Sequence, residues 1–176
     1  RDLGLMLEGA LEKGIPMLIG SAGGGGSAPQ VALVREVIEE IAAERGFHFK
    51  MAVIHADQSK DYLHEKLKAG KIEPLGPIDD ATSETIEESH RVVAMMGVEP
   101  FQQALKNGAQ VVLAGRATDA SIYSAIPLMR GFDPGLVWHL SKIIECAGAV
   151  AVPKTGQDCM IGTLAADHFL VAPADP

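Results

Sequence analysis

Aromatic residues are scarce in this chain: five Phe, two Tyr and one Trp make up 5% of 176 residues. Any core must therefore be aliphatic, assembled from Ala, Val, Ile, Leu and Met. Cysteine is nearly absent as well. Cys146 and Cys159 are the only two, with no CxxC and no histidine at metal-ligand spacing, so no metal site is expected. Two thiols in a chain of this size read as free and cytoplasmic, the alternative being a disulfide across the short loop between them. No apolar run is long enough to cross a bilayer, so no membrane partner is expected. Positive charge is also in short supply: 15 Lys and Arg against 23 Asp and Glu give a net charge of -8. That balance excludes general attraction to a nucleic-acid backbone, and no basic cluster offsets it.

What is present is a regular alternation of strands and helices. Leu3, Leu7, Ala10 and Leu11 repeat at helical spacing up to Gly14. Met17-Leu18-Ile19 then reads as a buried strand, and Pro29 opens a long helix with Val31, Val34, Val37, Ile38 and Ile41 on its apolar stripe. Phe49 to Ile54 is a second strand and Ser59 to Ala69 a helix, followed by a loop over 72–80. Thr85 with Glu88 matches a capping box, which predicts a helix through Val92, Val93 and Met96. The Met95-Met96 pair reads as core. A helix from Glu99 leads to a third strand, Gln110 to Ala114, and Thr118 is the expected N-cap of the helix that follows. Asp133-Pro134 caps another helix running to about Gly148. Pro153 to Gln157 is a turn region, and Met160 to Ala172 alternates as antiparallel strands do.

This order implies an α/β fold: a Rossmann-like, mostly parallel sheet flanked by helices, with a small antiparallel C-terminal addition. The expected division is an α/β domain over 1–150 and a short β-rich segment or linker start over 151–176. The first element is a helix where a strand ordinarily stands, and Ala172-Pro173-Ala174-Asp175-Pro176 reads as linker. A piece of a longer protein, with a strand or more upstream, is the expectation.

Ligands of parallel sheets bind beyond the carboxyl ends of the strands. That rule selects three segments: Gly20–Ser27, His55–Asp57 and Gly115–Asp119. In the first, Gly23, Gly24, Gly25, Gly26 and Ser27 offer close backbone approach and the amides of a helix N-terminus to an anion. A plain strand-to-helix turn is the competing reading, and four glycines in a row satisfy almost any Gly-x-Gly pattern. Arg116 has the geometry to clamp a carboxylate or phosphate, or to pair internally with Asp119 or Asp57. His55 and Asp57 are the candidate general bases. Asp119 stands beside Arg116 and favours a helix start. His139, Glu145 and Cys146 share one helix and read as packing.

The same segments resemble the acyclic terpene utilisation (AtuA-like) family. The likeness rests on Leu18-Ile19-Gly20-Ser21-Ala22-Gly23-Gly24, on Met96-Gly97-Val98-Glu99-Pro100-Phe101 and on Val112-Leu113-Ala114-Gly115-Arg116-Ala117-Thr118-Asp119. It continues through Met129-Arg130-Gly131-Phe132-Asp133-Pro134-Gly135 and Asp167-His168-Phe169, and corresponds to the middle part of longer members. The resemblance implies a cytoplasmic protein linked by name to the catabolism of branched terpenoid acids. It implies no catalytic residue and no cofactor.

The expected function is an enzyme, or part of one, acting on a small organic acid or its acyl-CoA, with lyase- or hydratase-like chemistry preferred. Arg116 would hold the anionic group, and the glycine-loop amides a second anion or an enolate. The alternative is a non-enzymatic ligand-binding or subunit-assembly domain, a homo-oligomer built on open sheet edges.

Overall fold

The computed structural model describes residues 1–150, 152 and 159–174. Helix α1, Asp2–Lys13, ends where Gly14 turns to a φ of 62° and returns its N–H to Ala10 and Leu11. Strand β1, Met17–Ile19, runs into the glycine loop. Helix α2, Ala28–Arg45, starts at Ser27 with Gln30 completing a capping box and Pro29 in the first turn, and stops at Gly46. Strand β2, Met51–Ile54, is followed at once by the two-residue β3, Asp57–Gln58. Helix α3, Lys60–Lys68, is capped by the Ser59 hydroxyl, which accepts the Tyr62 N–H. Helix α4 spans Ser83–Glu88 and strand β4 Val92–Val93. Helix α5, Glu99–Lys106, leads to β5, Val111–Ala114. Helices α6, Ser121–Met129, α7, Pro134–Glu145, and the short α8, Ala147–Val150, precede strands β6, Met160–Leu164, and β7, Phe169–Pro173.

The main sheet has the order β1-β5-β2 and is parallel throughout. Val111 pairs with both Met17 and Met51, and Leu113 with both Ile19 and Val53. All four β5 residues are buried, as expected of a central strand covered on both faces. Alternation then divides the core. Val111 and Leu113 pack with Leu7 of α1 and with Val31 and Ile38 of α2. Val112 and Ala114 pack with Phe101 and Ala104 of α5 and Ala125 of α6. Leu7, Ile38, Leu113 and Phe101 are all fully buried, each contributing roughly 1.5–3 kcal/mol by removal from water. The fold is thus mixed α/β, a three-stranded parallel sheet flanked by helices.

The C-terminal segment forms the antiparallel β6–β7 ribbon its alternation predicts. It packs on α7, where a Cβ on Gly162 would lie 2.9 Å from a Leu140 methyl and the Phe169 ring meets His139 edge-on at 5.1 Å. The turn expected over 153–157 lies outside the described residues. Cys146 and Cys159 are exposed and free, with no disulfide between them.

Several expectations are corrected. The helix predicted through Met96 ends at Glu88, and its capping box is formed by Thr82 and Thr85, not Thr85 and Glu88. Ser89 closes that helix, and Val92–Val93 instead pair antiparallel with Asp57–Gln58. Their branched side chains fit a pleated ribbon better than a helix. Met95 is 59% exposed and is not core, whereas Met96 bridges to Ala117. Thr118 does not cap α6; Ala120 holds that position, and the Thr118 carbonyl accepts the Ser121 N–H. Helix α7 stops at Glu145, short of Gly148.

Candidate functional site at the carboxyl edge

Parallel pairing brings the loops after β1, β2 and β5 to one edge of the sheet, and glycine lets them touch. The Ser21 N–H donates to the Gly115 carbonyl at 2.9 Å, and the Gly115 N–H to the Ile54 carbonyl at 2.8 Å. A Cβ on Gly115 would lie 2.6 Å from the Gly26 carbonyl oxygen and 2.7 Å from the Ala56 Cβ. The Gly20–Ser27, His55–Asp57 and Gly115–Asp119 segments therefore meet backbone to backbone.

The glycine loop is also closed on itself. Five of its eight N–H groups have internal acceptors: Ser21 and Ala22 donate to Gly115 and Ala114, Gly24 to Ser21, Gly26 to Ala22, and Ser27 to the Gln30 side chain. Gln30 also donates to the Gly23 carbonyl at 2.8 Å. Gly20, Gly23 and Gly25 keep N–H groups without an internal acceptor among the described residues. The loop thus builds a wall, and its capacity to bind an anion through amides rests on those three residues and on the start of α2.

Ser21 is the residue the glycine pattern concealed. Its φ of 48° is the only left-handed value at a non-glycine residue among the described residues, a conformation costing roughly 1–3 kcal/mol. Its hydroxyl accepts the Ala117 N–H at 3.3 Å and stands 3.2 Å from the Ala117 carbonyl and 3.4 Å from Asp119 Oδ1. The strained residue is thus tied into the loop after β5.

Between these loops and helices α6 and α7 lies a cavity of about 170 Å³ lined by Gly20, Ser21, Thr118, Asp119, Tyr123 and Glu145, with Ala117 and Ile122 completing it. Gly20 is required here, because a Cβ would come within 2.7 Å of the Ile122 side chain. Burial raises the Tyr123 pKa, and the charges of Glu145, Cys159 and Asp119 add to the effect. The phenol is consequently a neutral hydrogen-bond donor near pH 7. The Glu145 side chain is only 7% exposed and pairs with Lys142, whose own pKa that contact raises.

Arg116 does not line this cavity but reaches one residue that does: its side chain is 28% exposed, with Nη2 3.9 Å from Asp119 Oδ1. That spacing is too long for a hydrogen bond, so the guanidinium keeps donors for another acceptor. Asp57 is engaged elsewhere: Oδ1 lies 3.3 Å from Arg91, and Oδ2 is buried without a hydrogen-bond partner. His55 is exposed at the end of β2. Neither His55 nor Asp57 lines the cavity. Sequence spacing signalled Arg116 and Asp119. It missed Ser21 and Tyr123, and it offered no reason to bring Glu145 from α7 to this edge.

A phenol donor, two carboxylates and a hydroxyl around one cavity are a set suited to moving protons on a bound molecule. Among the described residues no three His, Cys, Asp or Glu side chains gather as a metal site requires, and no helix is long and apolar enough to cross a membrane. No curated protein and no solved structure matches the chain. The model of the acyclic terpene utilisation family protein AtuA does, over residues 2–154, and the chain belongs to that family.

Proposed function

We propose that the protein is an enzyme binding a small organic acid, free or as its thioester, at this edge and moving a proton on it. The observation that carries the reading is the cavity beside Arg116, with neutral Tyr123 and shielded Glu145 in its wall. Arg116 anchors the anionic group in place of its loose contact to Asp119. Ser21 and Tyr123 donate to the oxygen that gathers charge as the carbon beside it loses a proton. Asp119 or Glu145 accepts that proton. His55 and Asp57, on the adjoining loop, remain candidates for a base only if a bound substrate extends toward them. A cavity of about 170 Å³ admits the reacting head of a ligand, and the family description points to a branched aliphatic acid.

Thermal shift with isovalerate, acetate and their coenzyme A thioesters tests binding, because a ligand held by the native state raises the midpoint. Arg116→Ala should lose the shift. Deuterium uptake at the carbon beside the carboxyl, followed by NMR, tests the chemistry, and Tyr123→Phe should slow it about 10²-fold or more. No shift for the wild type, or an equal shift for Arg116→Ala, overturns the reading.

One observation favours the non-enzymatic alternative of subunit assembly. Leu5 and Met6 on α1 and Leu33 and Val37 on α2 are solvent-exposed, with Leu33 61% exposed. Light scattering over a concentration series tests it: a dimer abolished by Leu33→Glu would support assembly through these helices.

A further inference from the structure

A second cavity, of about 270 Å³, lies at the opposite end of the sheet, where Pro16 leads into β1 and Gln110 into β5. Its walls are apolar: Leu11 from α1, Ile15 from the link to β1, Leu105 from α5, and Ile126 and Met129 from α6. Ile15 and Met129 are left 58% and 40% exposed at its opening. Arg130 stands in the same lining, and its side chain has no hydrogen bond or ion pair among the described residues. In a chain with a net charge of -8, an exposed guanidinium that makes no ion pair among the described residues, although Asp133 lines the adjoining hollow with it, is complementary to a ligand that is aliphatic at one end and anionic at the other.

We propose that this amino-edge cavity is a binding site for a medium-chain aliphatic carboxylate, its chain along Leu11, Ile15, Leu105 and Ile126 and its carboxylate on Arg130. An apolar cavity of roughly 150 Å³ takes up a benzene molecule, so the larger volume here accommodates a chain longer than six carbons. This site is separate from the one at the carboxyl edge: no residue lines both. The alternative role for Arg130 is structural, a cation at the carbonyl end of α6 that offsets the helix dipole. Such a role predicts a change in stability without a change in binding.

Titration calorimetry of the full chain with octanoate distinguishes these. The expected result is saturable binding of octanoate, weakened about tenfold or more in Arg130→Gln. Ile15→Asp, at an exposed position that tolerates the change, should weaken it similarly by placing a like charge in the wall. Octanol should bind the wild type less tightly than octanoate, and Arg130→Gln should erase that difference. The octanoate binding that Arg130→Gln weakens should persist in Arg116→Ala. Absence of octanoate binding overturns the proposal, as does equal affinity for the wild type and Arg130→Gln. Loss of binding in Arg116→Ala alone would place octanoate in the carboxyl-edge site, ending this proposal and leaving that one standing. Self-association that occludes the cavity, seen as octanoate binding only after dissociation of a dimer, would make a second copy its occupant and also overturn it.

Discussion

Gly26 and Arg116 touch through their backbones: a Cβ built on Gly26 would stand 2.2 Å from the Arg116 amide nitrogen. The atoms it would meet, Arg116 N and Cα and Gly115 C, are all backbone, so no side chain can move aside, and Gly26 also sits at a φ of 70°. Gly26→Ala should therefore cost about 2–5 kcal/mol from strain and overpacking together. Gly24→Ala meets open space but keeps a φ of 93°, for about 1–2 kcal/mol. Gly25→Ala meets only the Gln30 side-chain amide, but displacing it breaks the hydrogen bonds to Ser27 and to the Gly23 carbonyl, for about 1–2 kcal/mol. Urea midpoints for the three variants give the ranking, and equal losses at 26 and 24 would show that the two loops part without cost.

The buried hydroxyls between α6 and α7 make a second test. Ser124 donates to Ser141 at 2.8 Å, whereas the Ser121 hydroxyl is fully buried without a partner. Ser124→Ala leaves Ser141 orphaned and should cost about 1–3 kcal/mol, while the Ser124→Ala/Ser141→Ala pair should cost clearly less than the sum of the singles. Ser121→Ala should be neutral or stabilising. Chemical denaturation of the four variants decides, and strict additivity would mean that the pair is not coupled.

Tyr123 carries a pH signature. Its folded pKa lies above the ordinary tyrosine value of 10.0 because burial disfavours the phenolate. Unfolded chains lose that proton first, so Tyr123 contributes stability below pH 10 that falls away as pH rises beyond it. The chain has two tyrosines, so subtracting the phenolate absorbance titration of Tyr123→Phe from that of the wild type isolates this group. A midpoint at or below 10 would show that burial does not disfavour the Tyr123 phenolate and would remove this contribution to stability.

At the acidic end, Glu87 is the marker. Its pKa is lowered from 4.5, first by the hydrogen bond with His64 and then by the contacts with Lys60. The His64 Nε2 lies 2.7 Å from Glu87 Oε1. A depressed carboxyl stabilises the fold above its unfolded pKa and loses that contribution as pH falls through the folded value. The stability difference between wild type and Glu87→Gln should thus be present at neutral pH and shrink below pH 4.5. A difference independent of pH would assign the loss to packing between α3 and α4.

Reading the sequence recovered the elements that carry their own punctuation. Gly14, Gly46 and the Asp133 cap marked helix ends where the structure has them. Continuous apolar runs marked β1 and β5. Val92 and Val93 were misread because the apolar spacing across Thr85 to Met96 suits a helix, while their true partners, Asp57 and Gln58, lie far off in the chain. The edge where the three loops meet was legible from topology alone, since parallel strands deliver all their carboxyl-end loops to one side. Tyr123 and Glu145 were not, because their approach depends on how α6 and α7 pack, which no local pattern encodes. The glycine cluster was visible, but how many of its amides the fold consumes was decided by Gln30 and the loop after β5.

The order β1-β5-β2 has a consequence for how the chain is made. The two outer strands are translated long before the one that joins them, and neither borders the other. Among the described strands, Met17–Ile19 and Met51–Ile54 each pair only with Val111–Ala114, so their joining in one sheet waits for those four residues. Until then the main sheet cannot close, and a chain that stops anywhere before Val111 keeps at most the short pairing of Asp57–Gln58 with Val92–Val93.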